Sequence, residues 1–313
     1  MKIKKSAVVF SVIVMLFFPL LPGYSLPYAE NIDTTSGEEK QEKAGYQEER
    51  ISSEPAVISM FSFGDNTALA NDLIDAISKP DLKDRIVSTT YEGNPDQAAV
   101  MQTSLQEFPR SGNQYVVLST GRASNIAGVA NTFSSVDMGG VHIPGGSPDG
   151  YNANDVATLT VRLDLTDLTT DPEPRLVFRY KFMSEEPPSF WGSQFQDYFT
   201  AWVKDSEGNR LENIALLPNG NPFTIDNARP YMNQVQGTSQ SPIAPFPSPN
   251  DVVYNATTGI HTTHLDLTDL IGQEIELEFQ IGDVGDSVYD SAISLICISC
   301  SKPGWQQSGV NRY

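Results

Sequence analysis

Few positive charges, few histidines and few cysteines mark this 313-residue chain. Lys and Arg number 20 against 39 Asp and Glu, for a net charge of −19. A surface this acidic repels phosphate backbones, which excludes nucleic acid as a partner. With three histidines and two cysteines, a structural zinc site built of thiolates is excluded, because it needs at least a third ligand from elsewhere. After the first 25 residues no stretch is long and apolar enough to cross a bilayer, so no membrane span is expected once that start is removed. No G-x-S-x-G elbow and no H-E-x-x-H pair occurs. His261 and His264 sit three apart at a strand start and face opposite ways.

What is present begins with an address. Lys2, Lys4 and Lys5 precede an apolar run from Ala7 to Phe18, broken only by Ser11. Pro19, Pro22 and Gly23 follow, and Ser25 and Ala29 are small residues suited to cleavage. This is the pattern of a secretory signal peptide over residues 1–25, with cleavage as late as 29. The expected location is therefore secreted or extracellular, with attachment to a cell surface through a partner. Removing residues 1–25 takes away three lysines and no acid, so the mature charge becomes 17 − 39 = −22. Residues 26–55 are polar and rich in Glu, and read as a disordered acidic linker. Residues 56–302 form the expected domain, and 303–313 a short polar tail without a hydrophobic anchor.

The domain reads as mainly β. One short amphipathic helix is expected over Ala68 to Ile77, with Leu69, Leu73, Ile74 and Ile77 on one face. Asn66 or Thr67 is placed to cap it, and Lys79-Pro80 to end it. Strands are expected over 86–91, 115–119, 157–165, 176–182, 198–203, 261–267, 275–281 and 292–298. Leu176, Phe178, Tyr180 and Phe182 alternate with polar residues, and so do Ile275, Leu277, Phe279 and Ile281. One buried and one wet face suits antiparallel sheets, and many short strands with Gly/Pro-rich connections suit a β-sandwich or jelly roll. The hexapeptide LDLTDL occurs twice, at 163–168 and 265–270, each time ahead of one of these alternating strands. Whether by duplication or by shared turn chemistry, the segments after those two strands are expected at one rim.

Both of those segments are acidic. The first carries Glu185, Glu186 and Asp197; the second carries Asp283, Asp286 and Asp290 with Gly282 and Gly285. Neither holds a Lys, Arg or His. Clustered carboxylates raise one another's pKa unless a positive charge sits among them. A hard cation such as Ca2+, which takes six to eight oxygen ligands in irregular loops, supplies that charge. The spacing is not that of an EF-hand. The alternative is that these acids face solvent or accept backbone N–H groups in turns.

Phe190 and Trp191 lie between the acids and are candidate ligand contacts, by stacking on a sugar ring, or plugs for the end of the sandwich. Cys297 and Cys300 form C-x-x-C in the last strand; in an exported protein they suggest a small-loop disulfide, which needs a bend there. Asn255-Ala256-Thr257 is a glycosylation sequon in what reads as a polar loop.

With these residues in hand, the chain resembles the choice-of-anchor L domain family of secreted and surface proteins. The resemblance rests on VVLSTGRASNIAG (116–128), FRYKFMSEEPPSFWGSQFQDYFTAWV (178–203), NIALLPNG (213–220) and IGDVGDSVYDSAI (281–293), in that order. It implies a β-sandwich displayed outside the cell and brings no defined activity. Two departures stand out: Pro187-Pro188 follows Glu186 where an aromatic is usual, and the variable C-terminal anchor is absent.

The expected role is therefore an exported, calcium-stabilised β-sandwich for binding, adhesion or surface display, with a glycan, surface polymer or protein as its ligand. One alternative is a carbohydrate-active hydrolase with Glu185 and Asp283 as its carboxyl pair, since retaining chemistry needs two carboxyls about 5–5.5 Å apart. Another is a structural component of an extracellular matrix. The thin catalytic inventory points away from an enzyme.

Overall fold

The structure, a computed structural model, describes residues 66–102, 114–126, 136–169, 174–234 and 254–301. The expected signal peptide, linker and polar tail lie outside the described residues. Helix α1 (Thr67–Ile77) buries Ala70, Leu73, Ile74 and Ile77 against the core. Each large apolar side chain so buried contributes roughly 1.5–3 kcal/mol. The side chain of Asn66 does not cap α1; its amide reaches the carbonyl of Gly93 at 3.4 Å instead. The helix stops where expected, and Lys79 N–H passes to the carbonyl of Ile298.

The strands in chain order are β1 (Ile86–Glu92), β2 (Ala98–Met101), β3 (Tyr115–Ser119), β4 (Val141–Ile143), β5 (Ala153–Asp164), β6 (Arg175–Ser184), β7 (Tyr198–Lys204), β8 (Arg210–Asn213), β9 (Phe223–Thr224), β10 (Met232–Gln234), β11 (Ala256–Thr258), β12 (His261–Asp266), β13 (Glu274–Val284) and β14 (Ser291–Ser301). They form two antiparallel sheets. One runs β1-β5-β13-β7-β8, with β4 also on β5 and β9 also on β7. The other runs β10-β11-β6-β14-β3-β2, with β12 also on β6. The expected antiparallel β-sandwich with a short N-terminal helix is therefore what forms, and two further single-turn helices, α2 (Pro80–Lys83) and α3 (Ile225–Ala228), join it.

The main core lies between the sheets. Leu159, Val161 and Leu163 of β5, and Ile275, Leu277, Phe279 and Ile281 of β13, meet Leu176, Phe178, Tyr180 and Phe182 of β6 there. The expectation of one wet face fails in part for both sheets: in the first, the outward Thr158, Thr200, Glu278 and Gln280 are buried and Ala153, Val156, Tyr198 and Val284 form an apolar cluster. In the second, all five residues of β3 are buried, because Tyr115, Val117, Met183, Ala292 and Ile296 pack on its outer side under Tyr254, Ala123 and Ile126.

The two LDLTDL copies fold alike. Asp164 Oδ1 accepts the backbone N–H of Thr166 at 2.8 Å and its hydroxyl at 2.6 Å. Asp266 Oδ1 accepts the same two groups of Thr268 at 2.9 and 2.6 Å. These bonds hold both carboxyls below their ordinary pKa. Each copy closes a strand that pairs with the strand following the other copy: β5 with β13, and β12 with β6. Asp164 sits opposite the first residue of β13, and Asp266 opposite the first residue of β6. The far ends of β6 and β13 consequently emerge at the same end of the sandwich.

Candidate functional site

At that end the two acidic segments meet. Glu185 follows directly on β6, and its N–H donates to the carbonyl of Asp290 at 3.0 Å. Asp283 lies within β13, and Asp197 immediately precedes β7. Glu185, Glu186, Asp197, Asp283 and Asp290 are all at most 1% exposed. Asp286 is half-buried; its Oδ1 accepts Val288 N–H at 3.0 Å and its carbonyl accepts the amide of Asn154 at 3.2 Å. The structure thus brings all six sequence-derived acids together, five of them inside.

Their environments differ. Asp197 is satisfied: Oδ1 accepts Val284 N–H at 3.0 Å and Oδ2 accepts the hydroxyl of Ser291 at 2.6 Å. No carboxyl oxygen of Glu186 or Asp283 accepts a hydrogen bond from a backbone or neutral side-chain donor among the described residues. Burial is the first cause pushing Glu186, Asp197 and Asp283 above the ordinary carboxylate range, and neighbouring carboxylates add to it. Asp197 rises only to about 7, because its two donors oppose the shift. Asp197 and Asp283 are close enough to share a proton in a carboxyl–carboxyl hydrogen bond. Among the described residues, the charged groups acting on Glu186 and on Asp283 are other acids.

Placing even one ion in a protein interior costs several kcal/mol, against a net stability of about 5–15 kcal/mol for a typical domain. Several bare carboxylates cannot stand there together at neutral pH. Either protons or a cation must accompany them. The donor set is all oxygen, with no imidazole or thiol in either acidic segment, which fits a hard cation rather than zinc. As the side chains stand, no three of these acids converge on one point at coordination distance among the described residues. Closing on an ion therefore requires rotation of the carboxyls.

The third wall was not legible as part of a site. It is the end of β3, Ser119-Thr120-Gly121. Thr120 N–H donates to the carbonyl of Ser291 at 2.9 Å, and Ser291 N–H donates to Thr120 Oγ1 at 2.9 Å. Gln97 fixes this segment from behind: its side-chain amide lies 3.2 Å from the carbonyl of Ser119, 3.0 Å from that of Thr120 and 2.6 Å from that of Asp155. Gly121 is the floor. A Cβ there would fall 1.8 Å from Asp290 Oδ2. Gly285, at φ +108°, is a second requirement, since its turn packs against the ring of Phe195.

Aromatic rings from the two acidic segments pack on one another. Phe190 stands 5.0 Å from Tyr289 and 5.4 Å from Phe195, centroid to centroid. Trp191 packs against the main core, with the guanidinium of Arg229 4.7 Å above its ring. Both candidate contact residues are packed on one side and partly exposed on the other. Glu185 and Asp283, the carboxyl pair of the hydrolase alternative, are both buried.

Cys297 and Cys300 are free thiols, which corrects the expected disulfide. The strand runs in regular register from Cys297 opposite Arg179 to Cys300 opposite Leu176. The only bulge falls earlier, between Leu295 and Cys297, so the two side chains keep opposite faces. Asn255 also departs from expectation: it is fully buried rather than in an open polar loop.

Among the described residues no helix is long and apolar enough to cross a membrane. The sequence model described as the choice-of-anchor L domain matches residues 64–300. No curated protein matches the chain. Among solved structures, the Caldicellulosiruptor saccharolyticus CBM27-1 in complex with mannohexaose is similar at 12% identity and a TM-score of 0.30, covering 63% of this chain and 80% of that one.

Proposed function

This chain belongs to the choice-of-anchor L domain family, and from that premise we propose that it is an exported β-sandwich that holds Ca2+ at its acidic end and serves in binding or surface display. Family membership supports the surface setting, together with the signal-peptide pattern of residues 1–25. One observation carries the calcium reading: Glu186 and Asp283 are fully buried and, among the described residues, lack neutral donors and face no charged group but other acids. Calcium answers each point. It needs many oxygens, accepts irregular geometry and removes the charge that otherwise forbids burial. Magnesium is a poorer fit, because it keeps its waters and demands an octahedron. The ion would be structural, tying the end of β6, the start of β7, the end of β13 and the end of β3 into one unit. The ligand class is a glycan, surface polymer or protein, met by the surface that the ion makes rigid.

The test is a thermal melt of the full chain in EDTA, with calcium and then magnesium titrated back. A ligand at a hundred times its dissociation constant adds about 2.7 kcal/mol, which raises the midpoint of a domain this size by roughly 5–10 °C. The expected result is a saturable rise with calcium and a smaller one with magnesium. No rise with either ion, in protein shown metal-free by elemental analysis, sinks the proposal. A glycan array read in calcium and again in EDTA then tests the ligand class.

A further inference from the structure

The sequon at Asn255 is not a surface feature. Asn255 is fully buried and Thr257 nearly so. The amide nitrogen of Asn255, which glycosylation would modify, donates to the carbonyl oxygen of Glu185. That bond fixes the amide's orientation, because turning it over would set two carbonyl oxygens against each other. The side-chain oxygen Oδ1 is left buried, and it accepts no hydrogen bond among the described residues. A buried acceptor without a donor costs about 1–3 kcal/mol.

Its place in the fold gives that oxygen a meaning. Strand β11 starts at the next residue and pairs Ala256 with Ser184, so Asn255 lies beside Glu185. Glu185 is tied in turn through its N–H to Asp290. Asn255 thus adjoins the acid cluster, and its oxygen shares the condition of Glu186 and Asp283: buried, electron-rich and without a donor.

We infer that Asn255 Oδ1 is a neutral ligand of the cation that Glu186 and Asp283 hold. This rests on the calcium reading above and extends it to a residue that carries no charge. The chemistry favours such a ligand. Calcium wants six to eight oxygens, and two carboxylates already balance its charge. Each further carboxylate adds net negative charge to a buried site, whereas an amide adds an oxygen and no charge. Asn255 is then a metal-site residue within a sequon, and the folded protein is not glycosylated there.

The experiment is calcium titration calorimetry on the full chain, stripped with EDTA, for the wild type and for Asn255→Leu. Leucine matches the amide in shape and lacks both its oxygen and its nitrogen. The expected result is a loss of calcium affinity of about tenfold or more, together with a metal-free melting midpoint lowered by the lost bond to the Glu185 carbonyl. Unchanged affinity in a folded Asn255→Leu protein overturns the inference and leaves the calcium reading standing. No calcium binding by the wild type overturns both. Should Asn255→Leu fail to fold, the side-chain carbonyl carbon of Asn255 is followed by NMR in the wild type during the titration. A stoichiometric shift supports coordination, and an unmoved resonance overturns it.

Discussion

Gly121 lies so close to Asp290 that a methyl group on its α-carbon would sit 2.3 Å from the carboxyl carbon. A main-chain position in the first third of the domain thereby sets where a side chain in the last third can go. Asp290 is short and buried, so it cannot swing aside into solvent. Gly121→Ala is expected to destabilise the fold by about 1–3 kcal/mol, as overpacking does, and to lower the calcium-induced rise in melting midpoint. Differential scanning calorimetry with and without calcium reads both effects. A variant with wild-type midpoints in both conditions would remove Gly121 from the site.

Asp283→Asn separates the cost of a buried acid from metal binding. Among the described residues the charged groups facing Asp283 are other carboxylates, and the folded, metal-free protein must take up a proton there that the unfolded chain lacks at neutral pH; Asn removes that cost. In EDTA the variant is expected to melt a few degrees higher than the wild type, corresponding to roughly 1 kcal/mol. In calcium the order reverses, because a ligand has been lost. An Asn variant that melts lower than the wild type in EDTA and still gains the full calcium increment would contradict the site.

The pH response follows from the same crowding. In the folded, metal-free protein Glu186 and Asp283 hold protons far above the ordinary carboxylate range, and Asp197 titrates near 7. Unfolded, all three release their protons near pH 4. The folded state therefore binds more protons across the interval above that. Stability is greatest below about pH 4 from this source and falls as pH rises, with Asp197's share lost by about pH 7. Melts in EDTA should show a falling midpoint between about pH 5 and 8. The increment added by calcium should grow over the same interval, since the ion displaces those protons. A metal-free midpoint that climbs through this range would contradict the buried cluster.

The thiols make a simpler test. Cys300 is buried and its pKa is pushed up to about 11 by that burial, while Cys297 is half-buried on the other face. Ellman's reagent should titrate two thiols after unfolding without reductant, and should reach Cys297 first in the native protein. Reducing agent should leave the melting midpoint unchanged. A single reducible bridge found by mass spectrometry would restore the disulfide.

Long strands announced themselves, and short ones did not. β13 and β6 alternate cleanly because one side of each faces the main core, and the sequence placed both to within three residues. β3 was placed to the residue. β2, β4, β8, β9, β10 and β11 have two to four residues each, too few for a period to show. The second apolar layer was hidden for another reason. Tyr254 and Ile126 cover β3 and β14 from distant positions, and a strand's own pattern does not tell what will cover its outer face. At the site, acids were legible because charge without counter-charge is visible in a sequence. Ser291, Thr120, Gly121 and Asn255 are neutral, and they act through where the fold puts them. The hexapeptide echo did carry positional content: it placed the two acidic segments at one rim, where they are.

The hydrogen bond from Ser291 to Thr120 joins positions 171 residues apart. Until β14 has emerged, β6 and β3 lack the strand between them, and the acids of the first segment have no partners from the second. A chain emerging in N-to-C order is thus denied the middle strand of this sheet through most of the domain's length. The pairing of β14 with β3 and β6 is the step that completes both the sheet and the gathering of the acids. Topology alone makes commitment to structure a late, all-or-none event rather than a gradual one.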